Sequence, residues 1–120
     1  MDTHKNIMVA DDDMSILDVV GSMLEFAGYH VTHSNTAETV LSNPKLPDLV
    51  LLDIWINGVD GREVCRQLKQ NDETKHIPIM LFSASKGIEK SAREAGADDF
   101  LSKPFQMTDL LQKIEDLMVF

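Results

Sequence analysis

Short apolar runs alternate with stretches in which apolar residues recur at every third or fourth position, and the alternation continues along the whole chain. "NIMVA" reads as a buried strand, and from Met14 onward Ile16, Val19, Val20, Met23, Leu24 and Ala27 trace one face of an amphipathic helix. Asp13 is the expected N-cap of that helix and Gly28 its terminator. "YHVTH" alternates as a strand near a sheet edge does, and "SNTAETVLS" fits a short helix capped through Asn35 and Glu38. Asn43, Pro44 and Pro47 break the chain before a third strand over 48–53, whose Leu49, Val50, Leu51 and Leu52 suit burial on both faces. Asp60 and Glu63 repeat the capping spacing ahead of "REVCRQLKQ", and "IPIMLF" is a fourth strand. Ile88, Ala92 and Ala95 mark a weak, small-residue helix that stops at Gly96. "DDFLS" is a short fifth strand, and Leu110, Leu111, Ile114, Leu117 and Met118 form a closing helix with Thr108 as N-cap.

Strands and helices in strict alternation predict an α/β domain, with a parallel sheet covered by helices on both faces. Right-handed crossovers then restrict it to a five-stranded, doubly wound sheet. The 120 residues suit a single domain with a core of its own, and no repeat, low-complexity tract or linker divides them. With no stretch left over, no output domain is expected within residues 1–120.

Charge narrows the classes of partner. A formal net charge of −9 disfavours a nucleic-acid or anionic-membrane surface, since both would repel the protein. The one cysteine, Cys65, admits no internal disulfide, points to a reducing compartment and has apolar neighbours at helical spacing, as an inert core thiol would. "MDTHKN" lacks the apolar core of a signal peptide and no run approaches a membrane span, so a cytoplasmic location is expected. His4, His30, His33 and His76 show no metal spacing and are assigned no role.

In an open parallel sheet, ligands bind beyond the carboxyl ends of the strands, where strand order reverses. That rule gathers Asp11 and Asp12 from the first strand, Asp53 from the third, Ser83 from the fourth and Lys103 from the fifth onto one rim. Carboxylates about 4 Å apart repel by roughly 4 kcal/mol per pair at an effective dielectric of about 20. Such a cluster needs raised pKa values, a cation, or both, and hard oxygen donors with room for water favour Mg²⁺. A carboxylate beside Mg²⁺ and an ammonium is a good phosphoryl acceptor, with Asp53 as attacking group and Lys103 and Ser83 on the phosphoryl oxygens.

At this point the chain resembles a receiver domain of a bacterial two-component response regulator. "DDD" at 11–13, "LLDIWINGVDG" at 51–61, "FSAS" at 82–85 and "FLSKPF" at 100–105 carry the resemblance in order and spacing along nearly the whole chain. It implies a flavodoxin-like fold with strand order 2-1-3-4-5 and five helices. It assigns Asp53 as the phosphorylated residue, Asp12 as a direct Mg²⁺ ligand, Asp11 as one through water, and the backbone carbonyl of Trp55 as a further ligand. Ser83 takes the position of the switch hydroxyl, Phe100 that of the switch aromatic, and Lys103 that of the lysine pairing with the phosphoryl group. Lys103-Pro104 is where the family commonly has a cis bond.

The resemblance further implies a histidine kinase or phosphotransfer protein as phosphoryl donor. It implies a downstream effector protein reading a face within about residues 86–118, and it admits a phosphorylation-linked dimer. The domain would promote only its own phosphorylation and dephosphorylation, and so act as a switch rather than an enzyme. Two departures stand out: Ile56-Asn57 replaces the usual Met-Pro, and Trp55 is a large ring where the family varies, expected to shield the acyl phosphate from water. The alternatives are a Mg²⁺-dependent phosphatase of the haloacid-dehalogenase type, whose paired acids would be Asp11 and Asp13, and a receiver-like binding module that accepts no phosphate.

Overall fold

Successive side chains along each central strand point into two different apolar layers, which is why helices cover both faces. The computed structural model describes residues 5–42, 45–85 and 87–118. In chain order the elements are β1 (Asn6–Ala10), α1 (Met14–Phe26), β2 (His30–Ser34), α2 (Ala37–Ser42), β3 (Leu49–Asp53), β4 (Trp55–Ile56), β5 (Val59–Asp60), α3 (Gly61–Gln70), β6 (Ile79–Ser83), α4 (Glu89–Glu94), β7 (Asp99–Ser102) and α5 (Met107–Leu117). The main sheet runs β2-β1-β3-β6-β7 with every pair parallel, which is the expected flavodoxin-like order once β4 and β5 are set aside.

Met8, Val50, Leu52, Ile79 and Leu81 face one layer, closed by Val40 of α2, Val64 and Leu68 of α3 and Ala92 of α4. Ile7, Val9, Leu49, Leu51, Met80 and Phe82 face the other, closed by Leu17, Val20 and Leu24 of α1 and by Leu110 and Ile114 of α5. Leu49, Leu51 and Leu52 are wholly buried, as a central parallel strand requires. β2 forms one edge of the sheet, where its alternating polar residues belong.

Local signals set the helix ends, with three corrections. Asp13 caps α1, accepting from Ser15 N at 2.9 Å, and Gly28 leaves the helix at φ 102°. Asp60 caps α3, accepting from Arg62 N at 2.9 Å. Its expected partner Glu63 instead pairs forward with Arg66 at 2.9 Å. In α2 the cap is Thr36, whose Oγ1 accepts from Thr39 N at 3.2 Å, one residue beyond the expected Asn35. α5 begins one residue before Thr108, with Gln106 as an N-cap that makes no side-chain bond. Asn43 and Pro44, read as chain breakers, lie outside the described residues, as does Lys86.

The hairpin β4–β5 is an element that periodicity did not predict. Trp55 pairs with Asp60 and Ile56 with Val59, joined by Asn57 at φ 50° and Gly58 at φ 81°. Two adjacent positive φ values are the hallmark of a type I′ turn, which Asn-Gly favours. Among the described residues no helix is long and apolar enough to cross a membrane.

Candidate functional site

The sheet delivers its polar residues to one edge because β1, β3, β6 and β7 all run the same way and end there. Their ends stay hydrogen-bonded past the strands: Asp11 N donates to Ser34 O at 3.0 Å, Ile54 N to Phe82 O at 3.0 Å, and Lys103 N to Ser83 O at 2.8 Å. The positions of the side chains beyond them are therefore set by the ladder.

Asp11, Asp12 and Asp53 each bring a carboxylate oxygen within 4.8 Å of the other two. Asp11 is buried, with 1% of its surface exposed, and Asp12 is exposed. Asp11 Oδ1 accepts from Asp13 N at 3.0 Å, while its Oδ2 accepts from Lys103 Nζ at 2.9 Å. The same ammonium lies 3.6 Å from Asp53 Oδ1 and 4.4 Å from the centre of the Phe82 ring. Burial, and then the charge of Asp11, push the Asp53 carboxyl up to about 6, against an opposing pull from Lys103. Asp53 is thus harder to ionise than an ordinary carboxyl.

Asp12 is tied to the hairpin, its Oδ2 accepting from Asn57 N at 2.8 Å. This bond gives Ile56-Asn57 a physical meaning, since a proline at 57 would have no N–H to donate. Gly61, first in α3, donates its N–H to Ile54 O, and a Cβ there would overlap the Asp53 carbonyl oxygen. Only glycine lets α3 start this close to the strand end.

Ser83 is 3% exposed, and its Oγ accepts from Ser85 N at 2.9 Å, so the hydroxyl proton is not used in that bond. Phe100 is half-buried in β7 against the α2–α3–α4 layer. Trp55 opens β4 with 53% of its surface exposed, and the Lys103–Pro104 bond is cis. Asp13 stands outside the carboxylate cluster, committed to its cap. Cys65 is buried, which pushes its thiol up to about 11 and away from reactivity.

Sequence reasoning named the acids, the lysine and the serine, and the structure brings them to one rim. It missed the Asn57 N–H on Asp12 and the guanidinium of Arg62, which lies 5.8 Å over the Trp55 ring. The signal for the second was Arg62's position two residues after the cap Asp60. Asp11, Asp12 and Asp53 thus offer three hard oxygen donors in reach of one another, a set that could hold a divalent cation.

Comparison with known proteins agrees with this geometry. A family model described as the response regulator receiver domain matches residues 7–115. The chain is 34% identical over 116 residues to the DNA-binding dual master transcriptional regulator RpaA of Synechocystis, covering 93% of this chain and 48% of the relative. It is 35% identical over 120 residues to the phosphate regulon transcriptional regulatory protein PhoB of Pseudomonas aeruginosa, covering 95% and 52%. The chain thus spans about half the length of these curated relatives. Among solved structures, a putative response regulator from Chloroflexus aurantiacus superposes with a TM-score of 0.92 at 28% identity, covering 97% of this chain and 98% of that one. A parallel sheet of this order, an acidic strand-end rim and a family match over almost the whole length lead to one conclusion: the chain belongs to the receiver domains of bacterial two-component response regulators, a family of phosphorylation-based signalling switches.

Proposed function

We propose that Asp53 accepts a phosphoryl group from the phosphohistidine of a histidine kinase or phosphotransfer protein, with Mg²⁺ as cofactor. The observation that carries this reading is the convergence of Asp11, Asp12, Asp53 and Lys103 on one rim. Asp11, Asp12 and Asp53 would hold the ion with the Trp55 carbonyl, and a bound Mg²⁺ would supply charge neutralisation at the phosphoryl oxygens.

In the transfer, a carboxylate oxygen of Asp53 forms a bond to phosphorus as the bond from phosphorus to the donor imidazole nitrogen breaks. The imidazole leaves with that electron pair. Lys103, already 3.6 Å from Asp53 Oδ1, turns from Asp11 toward one of the new phosphoryl oxygens. Ser83 donates its unused hydroxyl proton to another. Drawing Ser83 toward the phosphoryl group opens space behind it, and Phe100 turns inward to fill it. The face built by α4, β7 and α5, on which Lys113 Nζ pairs with Asp99 Oδ1 at 3.2 Å, then changes for a downstream effector protein. A gap of a few kcal/mol between the two arrangements is enough for phosphorylation to move the population.

The product stays attached to the protein, so the domain acts as a cytoplasmic switch and not as an enzyme with an independent substrate. The net charge of −9 supports protein partners over nucleic acid or an anionic membrane. The test uses the single tryptophan, Trp55. Its fluorescence should change on adding Mg²⁺ and again on adding acetyl phosphate, and Asp53→Asn should be silent to the second addition. A donor response that persists in Asp53→Asn would overturn the assignment, and multiple turnover of p-nitrophenyl phosphate would overturn the switch in favour of a phosphatase.

A further inference from the structure

Arg62 touches three parts of the molecule at once. Its Nε and Nη2 donate to the two oxygens of Asp60 at 2.9 and 2.8 Å. Its guanidinium carbon lies 5.8 Å over the Trp55 ring. Its Nη1 donates to Ser91 Oγ, in α4, at 2.9 Å. Trp55 and Asp60 are cross-strand partners in the hairpin that leaves Asp53. Ser91 in turn donates to Ile88 O at 2.9 Å, and Ile88 packs on the same apolar layer as Phe100.

α4 needs such a tie. It has six residues, no side-chain cap bond and a single buried residue, Ala92. A helix this short has no stability of its own, so its position is set by what it is fastened to. Guanidinium geometry makes the fastening directional: with Nε and Nη2 fixed on Asp60, the planar fork leaves Nη1 only one direction to point. The side chains of Arg62 and Asp60 are 20% and 32% exposed, so the bridge is partly shielded from water.

We propose that Arg62 is a positioning residue that couples the hairpin beside Asp53 to α4 through Ser91. The inference rests on the reading of Asp53 as phosphoacceptor. A shift of Trp55 or Asp60 as the acceptor loop rearranges moves the guanidinium, and the guanidinium moves Ser91 and α4. This route is separate from the one through Ser83 and Phe100.

The test is amide hydrogen exchange across α4, with and without acetyl phosphate and Mg²⁺, read beside the phosphoryl mass on Asp53. Ser91→Ala removes the bridge and leaves every residue of the acceptor site in place. Without donor, Arg62→Met should speed exchange in α4 about tenfold, the size of one lost hydrogen bond. Ser91→Ala, which also loses the bond to Ile88 O, should speed it at least as much, the double variant should match Ser91→Ala, and Arg62→Lys, which cannot form the fork, should not restore protection. With donor, Ser91→Ala should take up phosphate as the parent does, yet show a smaller phosphorylation-induced change in α4 exchange. Parent-like exchange in Ser91→Ala, additive single effects, or an undiminished response to phosphorylation would each overturn the proposal. If the parent gains no phosphoryl mass, the acceptor reading fails, while the donor-free comparison still decides whether the bridge holds α4.

Discussion

Lys103 Nζ is bonded to Asp11 Oδ2 at 2.9 Å and stands farther, at 3.6 Å, from Asp53 Oδ1. The ammonium is thus parked on the buried acid, leaving Asp53 short of a full counter-charge. Under the proposed phosphorylation of Asp53, one side chain would have two roles: offsetting the Asp11 charge before it and meeting the phosphoryl group after it.

Lys103→Met should therefore show two separable effects. Phosphoryl uptake from acetyl phosphate should fall by about 10² or more, the size of loss typical when a charge-stabilising donor is removed. In chelator at neutral pH the variant should also lose about 3 kcal/mol in urea unfolding, because Asp11 keeps its burial but loses its cation. Parent-like uptake would remove Lys103 from the chemistry.

Asp53 gives the metal-free protein a pH dependence. Its folded-state value of about 6 lies above the ordinary carboxylate value, so its contribution to stability is fully present below about pH 4 and is lost as pH rises through about 6. In chelator, Asp53→Asn should match the parent near pH 4 and exceed it by about 2 kcal/mol at pH 7.5. Mg²⁺ should narrow that gap by stabilising the parent more than the variant. Urea titrations at the two pH values measure both effects, and a gap independent of pH would contradict the crowding described at Asp53.

Trp55 opens the hairpin two residues past Asp53, with half its surface exposed and Arg62 against its ring. If the indole limits the approach of water, Trp55→Ser should lose phosphate from Asp53 severalfold faster than the parent, with uptake little changed. Phosphate release after removal of donor measures this, and an unchanged release rate would assign the ring to packing alone.

Gly61→Ala should cost about 1–3 kcal/mol, as overpacking against backbone does. The new methyl overlaps the Asp53 carbonyl oxygen, and no flexible side chain is there to give way. A lower urea midpoint with an unchanged slope is the expected signature.

The strands and helices were legible because each carries its own period, and the site was legible because parallel strands can end in only one place. What escaped the sequence is short or cooperative. The hairpin pairs two residues on each side, too few for alternation to register, although Asn57-Gly58 announced its turn. The caps at Thr36 and Gln106 differ from expectation by one and two residues, since several polar residues compete at each helix start. The parking of Lys103 on Asp11 and the fork of Arg62 on Asp60 depend on side-chain geometry across distant segments, which spacing does not encode.

The most direct test of the account is intact mass followed by peptide mapping after Mg²⁺ and acetyl phosphate. A single added phosphoryl group, mapped to Asp53, abolished by chelator and absent from Asp53→Asn, is the predicted result. No added mass in the Mg²⁺-loaded parent, or a phosphoryl group on any other residue, would contradict it.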